Sequence, residues 1–574
     1  MNKVRPFLLA VAVVAAALLA YGLFTLPKAQ SVDSDGFSAH RALIDIEAVS
    51  KNHHSVAHTA ERAQVRNYLM ERLAALGADT VKTFRYDSLT GPENKHVVYT
   101  FDAVDVLAEF SPEDTDSSAA CTWLMLVAHY DSRYSQPMPK QDTVWSYGAA
   151  DDGYGLGVIL ETVSGLVKER SKWKQGVKVL FTDAEEVGMM GMKAIWENNR
   201  EVFDNVGLMI NIEARGTWGP ALLFETSPGN AGIMDLYASE ARYPYTYSLT
   251  SVVYSFMPNF TDFTIVKDSI PGMNFSTVAD INHYHTDLDN FSNVSANSVQ
   301  HYGSQIFPVA YRYVTDSTFS DSRALVSDED KVNFTIPVIG LVNMGKGLYN
   351  IVNIALFVLF LLIFALEAVR GRVKFGRSLK ISGIVLFSAL GVLLVGELAV
   401  WVYAVIAGAS FKPFGIVQGL AFDNWYMVIM TVLFAAISTT VYVIYRAKAM
   451  RGVTSMRSSA VDNAKTGYAL STLYGTLSLM LVLSAALLFT IGENLMFMIP
   501  LFFATAALVL WRMTSLKLWL LLAVIGVLLH SFSFLFALAM ALTIGAYGAV
   551  AMLAFIDIMV LIPLADLYTM QTRK

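Results

Sequence analysis

The sequence predicts an α/β domain, a mainly parallel mixed sheet flanked by helices, joined to an all-α transmembrane bundle. Three observations carry this expectation. Between residues 124 and 213, short apolar runs ending in His or a carboxylate alternate with helical patterns, as fully buried strands do when their carboxyl ends line a crevice. One apolar run near the N-terminus and seven after residue 343 approach or exceed the roughly 20 residues that cross a hydrocarbon core. Hydrophobic residues make up 54% and charged ones 16%, too apolar for a wholly soluble chain, yet residues 28–343 have an ordinary globular composition.

The first apolar run, residues 6–27, follows Lys3 and Arg5 and ends at Pro27-Lys28-Ala29. That is a poor small-x-small cleavage site, and the run exceeds the usual h-region, so it reads as an uncleaved anchor. Residues 37–76 read as helical; Arg66 to Gly77 shows apolar positions at helical spacing and a glycine stop. Residues 97–110 alternate like a half-exposed strand. The runs at 124–128, 177–181 and 208–212 read as buried central strands, with helical patterns at 154–170 and 188–199 between them and a closing helix at 293–314. The seven further spans lie near 348–369, 381–408, 425–446, 469–491, 495–512, 518–537 and 542–564. Five Lys/Arg fall in 370–380 and five in 446–465. With eight spans these loops, Arg512, Lys517, Arg573 and Lys574 all share the side of Lys3 and Arg5, which the positive-inside rule makes cytoplasmic. The expected organisation is a cytoplasmic N-terminus (1–5), an anchor (6–27), an extracytoplasmic domain (28–343) and a membrane bundle (344–574).

The net charge of -6 and the lack of a basic cluster in the globular part point away from nucleic acid. Cys121 is the only cysteine, which excludes an intramolecular disulfide and a thiolate-rich metal site. Five pieces carry candidate chemistry: His129-Tyr130-Asp131, Asp151-Asp152-Gly153, Asp183-Ala184-Glu185-Glu186, Glu213-Ala214-Arg215 and His283-Tyr284-His285. Each alone has a bland reading as a surface pair, a turn or a solvated helix end. Those bland readings would have to coincide five times in one domain.

The five motifs, taken in order, resemble metallopeptidase family twenty-eight, the aminopeptidase Y-like co-catalytic zinc peptidases, over roughly residues 37–314. The anchor-plus-bundle layout is similar to the multi-pass branch of that family, which includes vacuolar membrane proteases and Fxna-like endoplasmic reticulum peptidases. The resemblance implies a zinc exopeptidase-like fold and two zinc ions. It implies that His129 and Glu213 serve one ion, Glu186 and His285 the other, and that Asp151 bridges them. It makes Asp131 the residue that orients the His129 imidazole, Glu185 the general base, and Tyr284 a neighbour of the scissile carbonyl oxygen. It also implies removal of N-terminal residues from a peptide substrate. The residue chemistry agrees. One imidazole plus carboxylates per ion, without sulfur, suits zinc, with Co²⁺ or Mn²⁺ as alternatives; a carboxylate between two mutually repelling cations is expected; and a water shared by them approaches a pKa of about 7.

Two rival readings share these features: a glutaminyl-cyclase-like acyltransferase with a single zinc, and a transporter or receptor carrying a non-catalytic domain. For the latter, Glu397, His530 and Asp557 are ionisable groups at membrane depth. Tyr245, Tyr247, Tyr254, Phe256 and Phe260 are candidates for a substrate-pocket wall, against ordinary packing. Arg215 is a candidate for a substrate carboxylate or for pairing with a ligand. The short N-terminus and compact loops point to a bacterial inner membrane with the domain in the periplasm; an endoplasmic reticulum or vacuolar membrane is the alternative. Asn-x-Ser/Thr tripeptides stand at Asn259, Asn274, Asn290, Asn293 and Asn333. Nothing in the sequence speaks to oligomeric state.

Overall fold

A helix crossing a bilayer must be both long and apolar, and seven described helices of the computed structural model meet that condition. They are α1 (Val4–Tyr21) and helices Lys346–Val369, Phe375–Ala407, Asn463–Ile491, Leu495–Thr514, Leu518–Leu542 and Ile544–Thr569. The chain is a multi-pass membrane protein. The structure describes residues 4–22, 26–91, 100–113, 121–133, 136–138, 141–255, 260–408, 433, 436–444, 446–447, 458–542 and 544–570. Half of the span expected at 425–446 lies outside the described residues, and 436–444 within it are helical.

The chain divides into two units, one of Met1–Phe24, Ile336–Ile339 and Gly347–Lys574, the other of Thr25–Thr335 and Gly340–Lys346. In the first, the fully buried Glu367 meets Arg372 at 3.0 Å and Arg512 at 2.6 Å, the compensation a carboxylate needs away from water. Glu397 accepts the Gly548 N–H at 3.1 Å. His530 and Asp557 are buried.

The second unit is the α/β domain. Its strands include β1 (Thr80–Thr90), β2 (Thr100–Phe110), β3 (Trp123–His129), β4 (Gln136–Met138), β5 (Gln141–Val144), β6 (Gly176–Thr182), β7 (Val206–Ala214), β8 (Leu222–Thr226) and β9 (Gly272–Thr277). Seven of them form one sheet in the order β1-β2-β6-β3-β7-β9-β8, while β4 and β5 pair separately. The central four, β6-β3-β7-β9, are parallel, and the flanking strands are antiparallel. Every residue of these four is buried, which explains why β3, β6 and β7 read as mainly apolar runs, interrupted only by Lys178 and Asn211 before their polar ends, rather than as alternation.

Alternate residues feed two cores. Leu124, Leu126, Val179, Phe181, Leu208 and Ile210 pack against α2 (Ala39–Val49), α4 (Gly153–Val167) and α9 (Ala296–Thr315). Met125, Val127, Leu180 and Met209 pack on the other face against Met192 and Ile195 of α5 (Met190–Asn198) and Phe263. Each such side chain contributes about 1.5–3 kcal/mol by leaving water.

The expected helix over 37–76 is two helices, α2 and α3 (Thr59–Ala75). Ser38 caps α2 by accepting the Arg41 N–H, and residues 50–58 break the run. β1 is half-exposed, and β8 and β9 are short; the sequence reading anticipated none of the three. Between β8 and β9 lie α6 (Ala231–Glu240), α7 (Ser248–Ser255) and α8 (Asp262–Val266).

Candidate metal centre

Parallel pairing puts the carboxyl ends of β3, β6 and β7 on one edge: His129 is opposite Thr182, and Val127 opposite Asn211. The crevice beyond that edge is where an open α/β sheet gathers functional groups. His129 is the last residue of β3, Glu213 the last but one of β7, and Glu185 and Glu186 sit on the turn after β6. That turn passes through Ala184 at φ 58°, a conformation costing a non-glycine residue roughly 1–2 kcal/mol. Hydrogen bonds hold the turn. Asp183 meets Arg62 at 3.1 Å and accepts the Val104 N–H at 2.9 Å and the Tyr130 hydroxyl at 3.0 Å.

Asp151 precedes α4. Asp152 caps that helix by accepting the Gly155 N–H at 3.0 Å, and its other oxygen accepts the His129 N–H at 3.3 Å. The Asp151–Asp152 peptide is cis. Asp289 steadies the approach to Asp151 by accepting the Ala150 N–H at 2.7 Å, the Asp151 N–H at 3.3 Å and the Ser146 hydroxyl at 3.0 Å. Gly148 must be glycine: its φ is +63°, and a Cβ would stand 2.9 Å from the Asp151 carbonyl.

These elements bring together the five residues expected as ligands, in two groups that share Asp151: His129 with Asp151 and Glu213, and Asp151 with Glu186 and His285. Asp151 Oδ1 is 3.2 Å from His129 Nε2, and its Oδ2 is 3.2 Å from His285 Nε2. Glu213 Oε2 lies 3.7 Å from His129 Nε2, and Glu186 Oε2 lies 3.0 Å from His285 Nε2. Within each group the ligand atoms lie within 4.8 Å of one another, and all five residues are buried. The donors suit a cation. Glu186 Oε1 is buried without a hydrogen-bond partner among the described residues, and two imidazoles with three carboxylates supply the charge and nitrogen donors zinc takes. Burial acts to raise the Asp151 pKa, but the two imidazoles outweigh it and hold the carboxyl below its usual range.

The three residues given other roles also converge. Asp131 is fully buried, and its carbonyl oxygen is 2.9 Å from His129 Nδ1, nearer than its carboxylate at 3.5 Å. Contact with the imidazole therefore runs first through the backbone. The carboxylate instead accepts the Glu185 N–H at 2.9 Å and the Glu186 N–H at 3.3 Å. Desolvation in the crevice, and then the Glu213 carboxylate, push the Glu185 carboxyl well above its usual range. Desolvation and Asp151 push the Tyr284 phenol up, so it remains a hydrogen-bond donor. Its ring stacks on His285 at 3.6 Å between centroids, and the Arg215 guanidinium carbon is 5.9 Å from the Tyr284 ring centroid.

Of the aromatic candidates, Tyr245 and Tyr247 are fully buried and pack on each other at 5.8 Å, a core role. Tyr254 packs on Phe224 at 4.9 Å and lies within electrostatic reach of Glu213, Glu185 and Arg215. Phe260 is exposed, and Phe256 lies outside the described residues. Sequence reasoning missed Arg133, whose Nη1 is 3.2 Å from Glu186 Oε2, Asn211, which donates to Glu213 Oε1 at 3.0 Å, and Asp289. Their signal was position: two residues after Asp131, two before Glu213 on the same strand face, and four after His285.

Fold and site together define the class, a metallopeptidase-type α/β domain on a multi-pass membrane protein. Residues 105–310, within the globular unit, match the model of peptidase family M28. Relatives include endoplasmic reticulum metallopeptidase 1 of Mus musculus, 27% identical over 39% of this chain and 24% of that protein. The vacuolar membrane protease of Candida dubliniensis is 25% identical over 49% of this chain and 28% of that protein. The chain thus spans only about a quarter of the length of these relatives. Among solved structures, a Zn-dependent exopeptidase from Parabacteroides distasonis aligns with a TM-score of 0.38 at 19% identity, over 48% of this chain and 98% of that one. The zinc aminopeptidase BSAP of Bacillus subtilis aligns at 0.38 and 13% identity, over 52% and 100%.

Proposed function

We propose that this protein is a membrane-bound di-zinc aminopeptidase that removes N-terminal residues from peptides, with Glu185 as general base. The observation carrying this reading is the division of the Asp151 carboxylate, one oxygen toward His129 and the other toward His285, each at 3.2 Å. His129, Asp151 and Glu213 would hold one ion, and Asp151, Glu186 and His285 the other. When bound, such a pair polarises the scissile carbonyl and acidifies a water. Glu185 accepts that water's proton and delivers it to the leaving amine nitrogen, a transfer worth roughly 10²–10⁴-fold. Tyr284 donates a hydrogen bond toward the carbonyl oxygen as negative charge develops there. Asp131 fixes the main chain of both glutamates. In this reading, Arg215 beside Tyr284 shapes the substrate side of the crevice.

The positive loops support a cytoplasmic N-terminus and an extracytoplasmic catalytic domain, with the bilayer as the second partner. A bacterial inner membrane facing the periplasm fits the compact loops best. The test uses the purified full chain in detergent with aminoacyl fluorogenic substrates and their N-acetylated counterparts, with and without chelator. Expected are two zinc ions per chain, cleavage abolished by chelation and restored by zinc, and N-acetylated substrates left intact. Chelator-insensitive cleavage, or equal cleavage of blocked peptides, overturns the proposal.

A further inference from the structure

The two halves of the centre differ in what touches their carboxylates from behind. Glu213 Oε1 accepts the side-chain amide of Asn211 at 3.0 Å, and that amide also reaches Asn274 Oδ1 on β9 at 3.0 Å. Asn274 in turn donates to Glu225 Oε2 on β8 at 3.1 Å and to Thr261 Oγ1 at 3.0 Å. Lys267 closes this run of side chains by meeting Glu225 at 2.6 Å. Asn211 and Asn274 are fully buried. A neutral amide therefore holds one Glu213 oxygen and leaves the other on the His129 side; Asn274 and Glu225 stand between that amide and the Lys267 cation that ends the run.

Glu186 is held by a full charge. Arg133 Nη1 is 3.2 Å from Glu186 Oε2 and donates to the Glu186 carbonyl at 2.6 Å. That same Oε2 is the oxygen 3.0 Å from His285 Nε2. The guanidinium competes for the electron density a cation would use, and does so where neighbouring charges are poorly screened. Asp151 serves both halves and each half has one imidazole of its own; their glutamates differ in carrying a positive charge on one and a neutral amide on the other.

We infer that the two cation positions have unequal affinity. The His129–Asp151–Glu213 position fills first, the Asp151–Glu186–His285 position second, and Arg133 sets the gap between them. This rests on the two-cation reading above. Partners of this kind change metal affinity about 10–100-fold, so the two dissociation constants should differ at least about tenfold.

The test is a calorimetric Zn²⁺ titration of the full metal-stripped chain in detergent, with bound zinc counted after dialysis. Two steps are expected. His285→Ala should remove the weaker step, Arg133→Gln should tighten it about 10–100-fold, and Arg133→Lys should keep the gap. Asn211→Ser should weaken the tighter step about tenfold. Unchanged steps in a folded Arg133→Gln overturn the role of Arg133. Loss of the tighter step in His285→Ala overturns the order, and so does an Asn211→Ser variant that weakens only the second step. Should Arg133→Gln not fold, the His285→Ala and Asn211→Ser outcomes still decide the order. A titration that saturates at one ion per parent chain defeats the two-cation reading itself, a result separable from the others.

Discussion

Replacing Asp131 by Asn changes a single atom type where the structure needs two acceptors. The Asp131 oxygens accept the Glu185 N–H at 2.9 Å and the Glu186 N–H at 3.3 Å, at a fully buried position. An asparagine of the same shape offers one acceptor and one donor, so one backbone N–H must face an NH₂ group. An orphaned buried donor costs about 1–3 kcal/mol, and a hydrogen bond that loses its charged partner weakens by about 1 kcal/mol more. The sum, about 2–4 kcal/mol, lies well above the range of ordinary surface changes. Function should suffer more, because the turn carrying both N–H groups also carries Glu185 and Glu186. Zinc affinity is expected to fall about 10–100-fold, and a shift of about 1 Å in the base costs about 10²-fold in rate. Denaturant unfolding, bound zinc after dialysis and kcat, measured on one preparation, test all three. An Asp131→Asn variant within about 0.5 kcal/mol of the parent, with full zinc content, would refute the assignment of Asp131 as organiser of the turn.

Glu185→Gln should retain its zinc while kcat falls roughly 10²–10⁴-fold, equivalent to about 3–5 kcal/mol in the barrier; loss of the metal instead would make Glu185 a ligand. His301 Nδ1 accepts the Ala221 N–H at 3.1 Å and the Gln305 amide at 2.9 Å, and burial lowers its pKa from 6.5 to about 3. The unfolded chain therefore takes up a proton near pH 6.5 that the folded domain refuses. His301 leaves stability unaffected above that pH and removes about 1.4 kcal/mol for each unit below it, down to about 3. His301→Gln should shrink the stability difference between pH 7 and pH 5 in denaturant unfolding, and an unchanged difference counts against this. Gly216→Ala puts a Cβ 1.9 Å from the Ala279 carbonyl oxygen, an overlap costing about 1–3 kcal/mol or more; a lowered melting temperature together with reduced zinc content is expected.

Strands β3, β6 and β7 were legible because burial on both faces leaves mainly apolar runs, with Lys178 and Asn211 the interruptions, ahead of the polar ends at His129, Thr182 and Glu213. The site residues were legible because chemistry restricts which side chains can end such runs. β1 escaped notice because one face is wet, so its pattern is irregular, and β9 because its six residues, starting at Gly272 straight after Pro271, resemble any loop exit. Arg133 and Asn211 are ordinary polar residues in the sequence, and only parallel pairing reveals which carboxylate each one meets. Tyr245 and Tyr247 show the converse case: aromatic side chains near a site in the sequence turn inward when the core has room for them.

The burial of Asn274 also bears on glycan attachment. Asn274-Phe275-Ser276 and Asn333-Phe334-Thr335 have the acceptor pattern for an N-linked sugar, but both asparagines are sealed in the fold, at 0% and 2% exposure. An oligosaccharide on either would have to displace its strand, so the folded domain closes both to a glycosyltransferase. Among the described residues only Asn290 and Asn293, partly exposed just downstream of His285, remain open to such decoration.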